Sequence, residues 1–130
     1  MPTPRIIDFI QTGEIENGFI SVASVEENIP FGIKRVYWIY GTHPNQIRGN
    51  HAHKKGDQVL ICLSGETSID LESANGQLNS FILNKPNQGL LVPALYWLKI
   101  KIIQPSTLLC ISAEEFDENN YIRDYKAFKS

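Results

Sequence analysis

A chain of 130 residues, 42% apolar and 20% charged, has the size of one domain and the composition of a folded globular protein, which excludes a disordered tail and a membrane-embedded bundle. Its formal net charge of -2 excludes a phosphate-tracking surface for nucleic acid, which needs a strong excess of Lys and Arg. No stretch approaches the roughly 18 apolar residues of a spanning helix, and the start Met1-Pro-Thr-Pro-Arg5 lacks the pattern of a signal peptide, so a cytoplasmic protein with no membrane partner is expected.

The predicted elements are short β runs. In chain order they are Arg5–Ile10, Phe19–Val25, Ile33–Tyr40, Gln58–Leu63, Thr67–Leu71, Leu78–Leu83, Leu90–Val92, Trp97–Ile103 and Leu108–Ile111. Turn signals stand between them, among them Ser64-Gly65, Ala74-Asn-Gly76 and Gln104-Pro-Ser106, which supply Gly, Asn or Pro where the backbone must reverse. With no helical pattern and no internal repeat, residues 1–130 read as one all-β domain. A small jelly-roll β-barrel best protects so many strand edges. The first run, Arg5–Ile10, has no evident partner within the chain. The last segment, Glu114–Ser130, is acidic and aromatic and reads as a packed tail. Cys62 and Cys110 lie inside apolar runs without a Cys-x-x-Cys spacing or basic neighbours, and read as inert core thiols outside any site.

The informative stretch is Arg48-Gly-Asn-His51-Ala-His53-Lys54, continuing to Asp57 and Gln58. On a strand, alternate side chains share a face, so His51 and His53 point the same way and Ala52 points oppositely. Two imidazoles turned into a barrel need partners or a ligand, because an unsatisfied buried polar group costs about 1–3 kcal/mol; turned outward, they are an ordinary strand edge. Two histidines on one face also invite a metal, for which Asp57 is the one anionic candidate as third ligand.

The arrangement resembles the first motif of the cupins, in which a Gly precedes His-x-His, a Glu follows four or five residues later and a Gly closes the run. Here Gln58 stands at the Glu position and Gly65 closes. The second cupin motif matches at Pro93-Ala-Leu-Tyr-Trp97-Leu98, where Leu98 replaces a metal-binding histidine. Leu cannot ligate and Gln is a poor ligand for zinc or iron.

Five ordered segments resemble one branch of the cupins, the sugar 3,4-ketoisomerases acting on dTDP-4-keto-6-deoxyglucose. They are Ile29–Tyr37, Arg48–Lys54, Gln58–Gly65, Gly89–Pro93 with Trp97, and Phe116–Tyr125. The resemblance implies a homodimer that exchanges N-terminal strands, no metal or other cofactor, and a cleft in which Arg35, Tyr37, Arg48, His51 and His53 face a dTDP-linked keto-deoxysugar. The chain departs from the family pattern at Glu14–Gly18, which lacks an arginine, and at Leu98.

Moving a carbonyl from C4 to C3 removes the C3 proton, forms an enediolate and returns a proton at C4, which is general acid and base work suited to histidine. His51 and His53 are the candidate pair, with the division of labour between carbon and oxygen left open. Arg48, with Arg35 as its partner, would offset the charge of the enediolate or diphosphate. Tyr37, two residues from Arg35 and on its face, would orient the sugar or relay a proton. Other readings are a non-catalytic sugar-nucleotide module, a metal-dependent cupin using His51, His53 and Asp57, and a 3,5-epimerase.

Overall fold

The computed structural model describes residues 2–130. Its strands are β1 (Arg5–Asp8), β2 (Gln11–Glu14), β3 (Gly18–Ser21), β4 (Arg35–Ile39), β5 (Ile47–His53), β6 (Gln58–Ser73), β7 (Leu78–Leu83), β8 (Gln88–Val92), β9 (Tyr96–Ser112) and β10 (Tyr121–Ile122). One short helix, α1 (Tyr125–Lys129), follows.

Two long strands organise everything else. β6 and β9 pair antiparallel from Gln58↔Ser112 to Ser73↔Tyr96, and each takes part in two layers. The first half of β6 pairs with β8, and the last part of β9 with β4; the second half of β6 pairs with β7, and the first part of β9 with β5. The layers face each other across a core of Leu60, Ile69, Leu71, Leu90, Ile102 and Leu108, the jelly roll expected from the sequence.

Four of the predicted runs are therefore two strands. Ser64-Gly65 and Gln104-Pro-Ser106 do not reverse the chain; the pairing register shifts there, between Cys62 and Thr67, and both strands bend from one layer into the other. Gly65 has φ +92°, and a Cβ on it would overlap the Pro105 carbonyl oxygen. Pro105, without an N–H to give a ladder, is tolerated at such an irregularity. Thr42 fastens the bend: its Oγ1 donates to the Ser106 carbonyl at 2.9 Å and accepts from the Ser106 N–H at 2.8 Å.

The first half of β6 is buried on both faces, which explains its unbroken apolar run. Leu60 and Cys62 join the core between the layers, whereas Val59 and Ile61 pack outward against Ile7, Phe9, Ile29 and Leu91. The N-terminal segment supplies that outer cover, and the first strand, expected to lack a partner within the chain, pairs with β8 from Arg5↔Leu91 to Asp8↔Gln88. What is left without a neighbour is the hairpin β2–β3, which forms its own two-stranded sheet with every residue exposed.

The tail packs as expected. β10 pairs with β5, placing Tyr121 opposite His53. Phe128 of α1 is buried against Trp97 and Ala52. Asp124 caps the helix, and Glu72 binds both Tyr125 and Lys129 at its far side. No helix among the described residues is long and apolar enough to cross a membrane.

Candidate active site

The histidine strand carries a bulge that its sequence spacing does not announce. Gly49 pairs with Lys99 and His51 with Leu98, so Asn50 is the extra residue, with φ +55° beside Gly49 at +85°. A side chain on Gly49 would bring its Cβ to 2.8 Å from the Leu98 carbonyl oxygen, so the close approach requires glycine. Strict alternation would send Arg48 to the face opposite His51; the inserted residue reverses the parity, and Arg48 lines the same cavity as His51. Beyond the bulge alternation resumes: Ala52 packs outward under Trp97 and Phe128, while the rings of His51 and His53 lie 5.0 Å apart.

That cavity measures about 350 Å³. Tyr37 of β4 and Arg48 and His51 of β5 line it, with Leu60, Leu98 and Cys110 supplying an apolar floor and Tyr121 and Arg123 a third side. Tyr37 stands opposite Cys110 in the ladder, and Cys110 opposite Leu60, which sets all three in one row. Tyr37 donates to Gln58 Oε1 at 3.4 Å. The residue at the carboxylate position of the cupin pattern is thus bonded to a phenol.

His51 has a fixed tautomer. Its Nδ1 lies 3.1 Å from the Gly49 carbonyl oxygen, an acceptor only, so Nδ1 carries the proton and Nε2 keeps a free lone pair. Burial lowers the pKa of His51 below the usual imidazole value, and the Arg123 charge acts in the same direction. His53 is 6% exposed, covered by the rings of His51 and of Tyr121 at 4.6 Å. Burial, then His51, then Arg35 bring its pKa down to about 4. Both imidazoles are neutral at pH 7. Burial acts oppositely on Tyr37, raising its pKa well above the phenol range, so its hydroxyl holds its proton.

Arg35 lies behind two of the cavity-lining side chains, Tyr37 and Tyr121. Its guanidinium lies 4.8 Å over the Tyr37 ring and 5.6 Å from that of Phe116, and Nη2 donates to the Tyr121 hydroxyl at 3.4 Å. The structure thus brings all five sequence-predicted residues together, with Tyr37, Arg48 and His51 open to the cavity and Arg35 and His53 beneath the aromatic side chains of the tail. Cys110, read as lying outside any site, lines the cavity; burial pushes its thiol up to about 12, which keeps it unreactive.

The donor set does not match a metal centre. Asp57, the proposed third ligand, accepts from the Ala94 N–H at 3.0 Å and so braces the turn before β9. Among the described residues no three of His, Cys, Asp and Glu converge, and Leu98 beside His51 has no lone pair to give.

Sequence reasoning missed Tyr121, Arg123 and Gln58 as site residues. The signal for the first two was the aromatic, charged tail, but only its pairing with β5 brings them to the histidines.

Residues 3–130 match the family model described as FdtA: WxcM-like, C-terminal. A curated protein of Aneurinibacillus thermoaerophilus, TDP-4-oxo-6-deoxy-alpha-D-glucose-3,4-oxoisomerase, is 39% identical over 112 residues, 84% of this chain and 80% of that protein. The fold is similar to that of QdtA, a sugar 3,4-ketoisomerase from Thermoanaerobacterium thermosaccharolyticum solved in complex with TDP. The TM-score is 0.90 at 34% identity, covering 97% of this chain and 91% of that one. A histidine-to-asparagine variant of QdtA, solved in complex with TDP-4-keto-6-deoxyglucose, matches with a TM-score of 0.90 at 33% identity over the same shares, 97% and 91%.

Proposed function

The chain belongs to this FdtA family and is a sugar-nucleotide 3,4-ketoisomerase; from that premise we propose how its own residues move the carbonyl of a TDP-linked 4-keto-6-deoxyhexose from C4 to C3. The observation that carries the assignment is the 3.1 Å contact of His51 Nδ1 with the Gly49 carbonyl oxygen, which assigns the proton to Nδ1 and leaves Nε2 of this cavity-lining ring free to act as a base beside Tyr37.

His51 Nε2 removes the C3 proton. The electrons of the broken C3–H bond form the C3–C4 double bond, and the C4 oxygen takes a proton from Tyr37. Tyr37, left as the phenolate, then takes the proton of the C3 oxygen as the C3 carbonyl forms, and the proton on His51 Nε2, exchangeable with solvent, passes to C4, which completes the isomer and returns both side chains to their starting state. General acid and base steps of this kind contribute about 10²–10⁴-fold each. Arg48, with no carboxylate bonded to it among the described residues, offsets negative charge in the cavity. His53 holds His51 from the closed side and stays neutral, so His51 is not faced by a second cation as it takes its proton. The apolar floor at Leu60 and Leu98 strengthens each of these interactions by excluding water.

A second copy of the chain is the natural partner for the hairpin β2–β3. Ile15, Phe19 and Ile20 are exposed on it, and Val36 and Trp38 of the edge strand β4 form an exposed apolar row with Tyr40 just beyond its end. A homodimer exchanging these N-terminal strands covers both. Light scattering tests it: a mass twice the 14.7 kDa of one chain is expected, and a single-chain mass contradicts it. The cytoplasm, where nucleotide sugars are made, is the place such an enzyme works.

Proton NMR of the protein with TDP-4-keto-6-deoxyglucose in deuterated water tests the reaction. The 3-keto isomer is expected with deuterium at C4. Saturable binding without isomerisation would instead mark a sugar-nucleotide module, and exchange that leaves the carbonyl at C4 an epimerase.

A further inference from the structure

A strand of two residues is a weak hold for the ring that covers both histidines. β10 pairs with β5 only at Tyr121↔His53 and Ile122↔Ala52. β5 ends at His53 and the chain bends at Lys54 and Lys55, while on the tail side Glu118–Asn120 forms a 3-10 turn. Neither backbone carries the ladder further as a regular strand, and Asn120 continues it by other means. Its carbonyl oxygen accepts from the Lys54 N–H at 2.8 Å. Its side-chain amide then stands in for the next peptide: Oδ1 accepts from the Lys55 N–H and Nδ2 donates to the Lys55 carbonyl oxygen, each at 3.0 Å. An amide side chain carries the same acceptor and donor as a backbone unit, so the pair copies a step of the ladder. Asn120 is itself buried, and its own N–H is tied to the Asp117 carbonyl oxygen at 2.9 Å.

We propose that Asn120 is a positioning residue of this enzyme: by clasping the Lys55 backbone it sets the ring of Tyr121 against His51 and His53 and keeps water from the imidazole behind the base. The inference rests on the ketoisomerase reading and adds to it the residue that prepares the base. Tyr121 follows Asn120 directly, and its ring meets those of His51 and His53 edge-on at 4.9 and 4.6 Å. His53 Nε2 is buried with no hydrogen-bond partner among the described residues, so it is the surrounding rings, not a bond to Nε2, that keep it dry. The groups that act on His53 are His51 on its own strand, Arg35 from β4 and, from the tail, Tyr121 and Arg123; none is a carboxylate, and Glu118 is bonded to Arg123. With the clasp released, His53 hydrates and takes a proton at a pH where the covered ring takes none. That sets a cation beside His51 and opposes protonation of the base.

The test compares Asn120→Ala, Asn120→Gln, Tyr121→Ala and the Asn120→Ala, Tyr121→Ala double variant with the wild type, in steady-state isomerisation across pH and in NMR titration of the histidines. Asn120→Ala is expected to move the titration of His53 from about 4 toward the ordinary 6.5. Near pH 6.5 it should lower kcat about ten-fold with KM within about two-fold, and the loss should shrink as pH rises, because the protonated imidazole causes it. Asn120→Gln keeps the amide on a longer arm and shows the same changes by a smaller factor. In the Tyr121→Ala background Asn120→Ala has no further effect on kcat, since it acts through the ring. An unchanged His53 titration and kcat–pH profile in the folded variants, or effects of the two substitutions that multiply, overturns the assignment and leaves the isomerase reading standing. Wild-type protein that forms no 3-keto isomer overturns both.

Discussion

Acidification should weaken this fold through His53, and the size of the effect follows from its burial. The folded-state pKa of about 4 against the ordinary 6.5 means that the unfolded chain takes up a proton across that interval which the folded chain refuses. Stability therefore rises with pH through the interval: the contribution is complete above 6.5 and is lost as pH falls toward 4. Between pH 7 and pH 4.5 the loss is about 2 kcal/mol for this one group. His51, lowered by the same burial, adds to it in the same direction. The assay is urea unfolding of the wild type and of His53→Asn at both pH values. Other titrating groups are common to the two proteins, so the difference of differences isolates His53, and the variant should lose about 2 kcal/mol less than the wild type. Equal losses in both would refute the claim that His53 is buried as a neutral imidazole.

Three further outcomes follow from the same geometry. Tyr37→Phe removes the hydroxyl that faces the cavity and should lower kcat by at least about 100-fold with little change in KM, read by NMR rate measurement. Gly65→Ala places a Cβ against the Pro105 carbonyl at a positive φ, and should destabilise the bend of β6 by about 2 kcal/mol or more in chemical denaturation. Phe128→Ala opens a gap beneath Trp97 and Ala52 and should cost about 3 kcal/mol, seen as a lower melting temperature.

The site was legible where chemistry and strand period coincide. Two histidines at i and i+2 share a face where the strand between them is regular, as it is from His51 to His53, and so do Arg35 and Tyr37. Arg48 was not legible in that way, because the bulge that turns it inward depends on Asn50 taking a positive φ against Leu98 across the sheet, a contact nearly 50 positions away in sequence. The continuity of β6 and β9 was hidden for a related reason. Gly65 and Pro105 are the residues that end a strand in most settings, and here each sits opposite the other, so a shared bend replaces two turns. The partner of the first strand, β8, and the approach of Tyr121 and Arg123 are likewise products of pairing between distant segments, for which local sequence holds no signal.

Removal of the C3 proton by His51 can be followed as loss of label from TDP-4-keto-6-deoxyglucose deuterated at C3, with wild type, His51→Asn and His53→Asn side by side. Wild type should release the C3 deuterium as the 3-keto isomer forms, His51→Asn should bind the nucleotide sugar but release none, and His53→Asn should still release it at a reduced rate. Release that persists in His51→Asn and vanishes in His53→Asn would contradict this role of His51 and move the base to the buried imidazole.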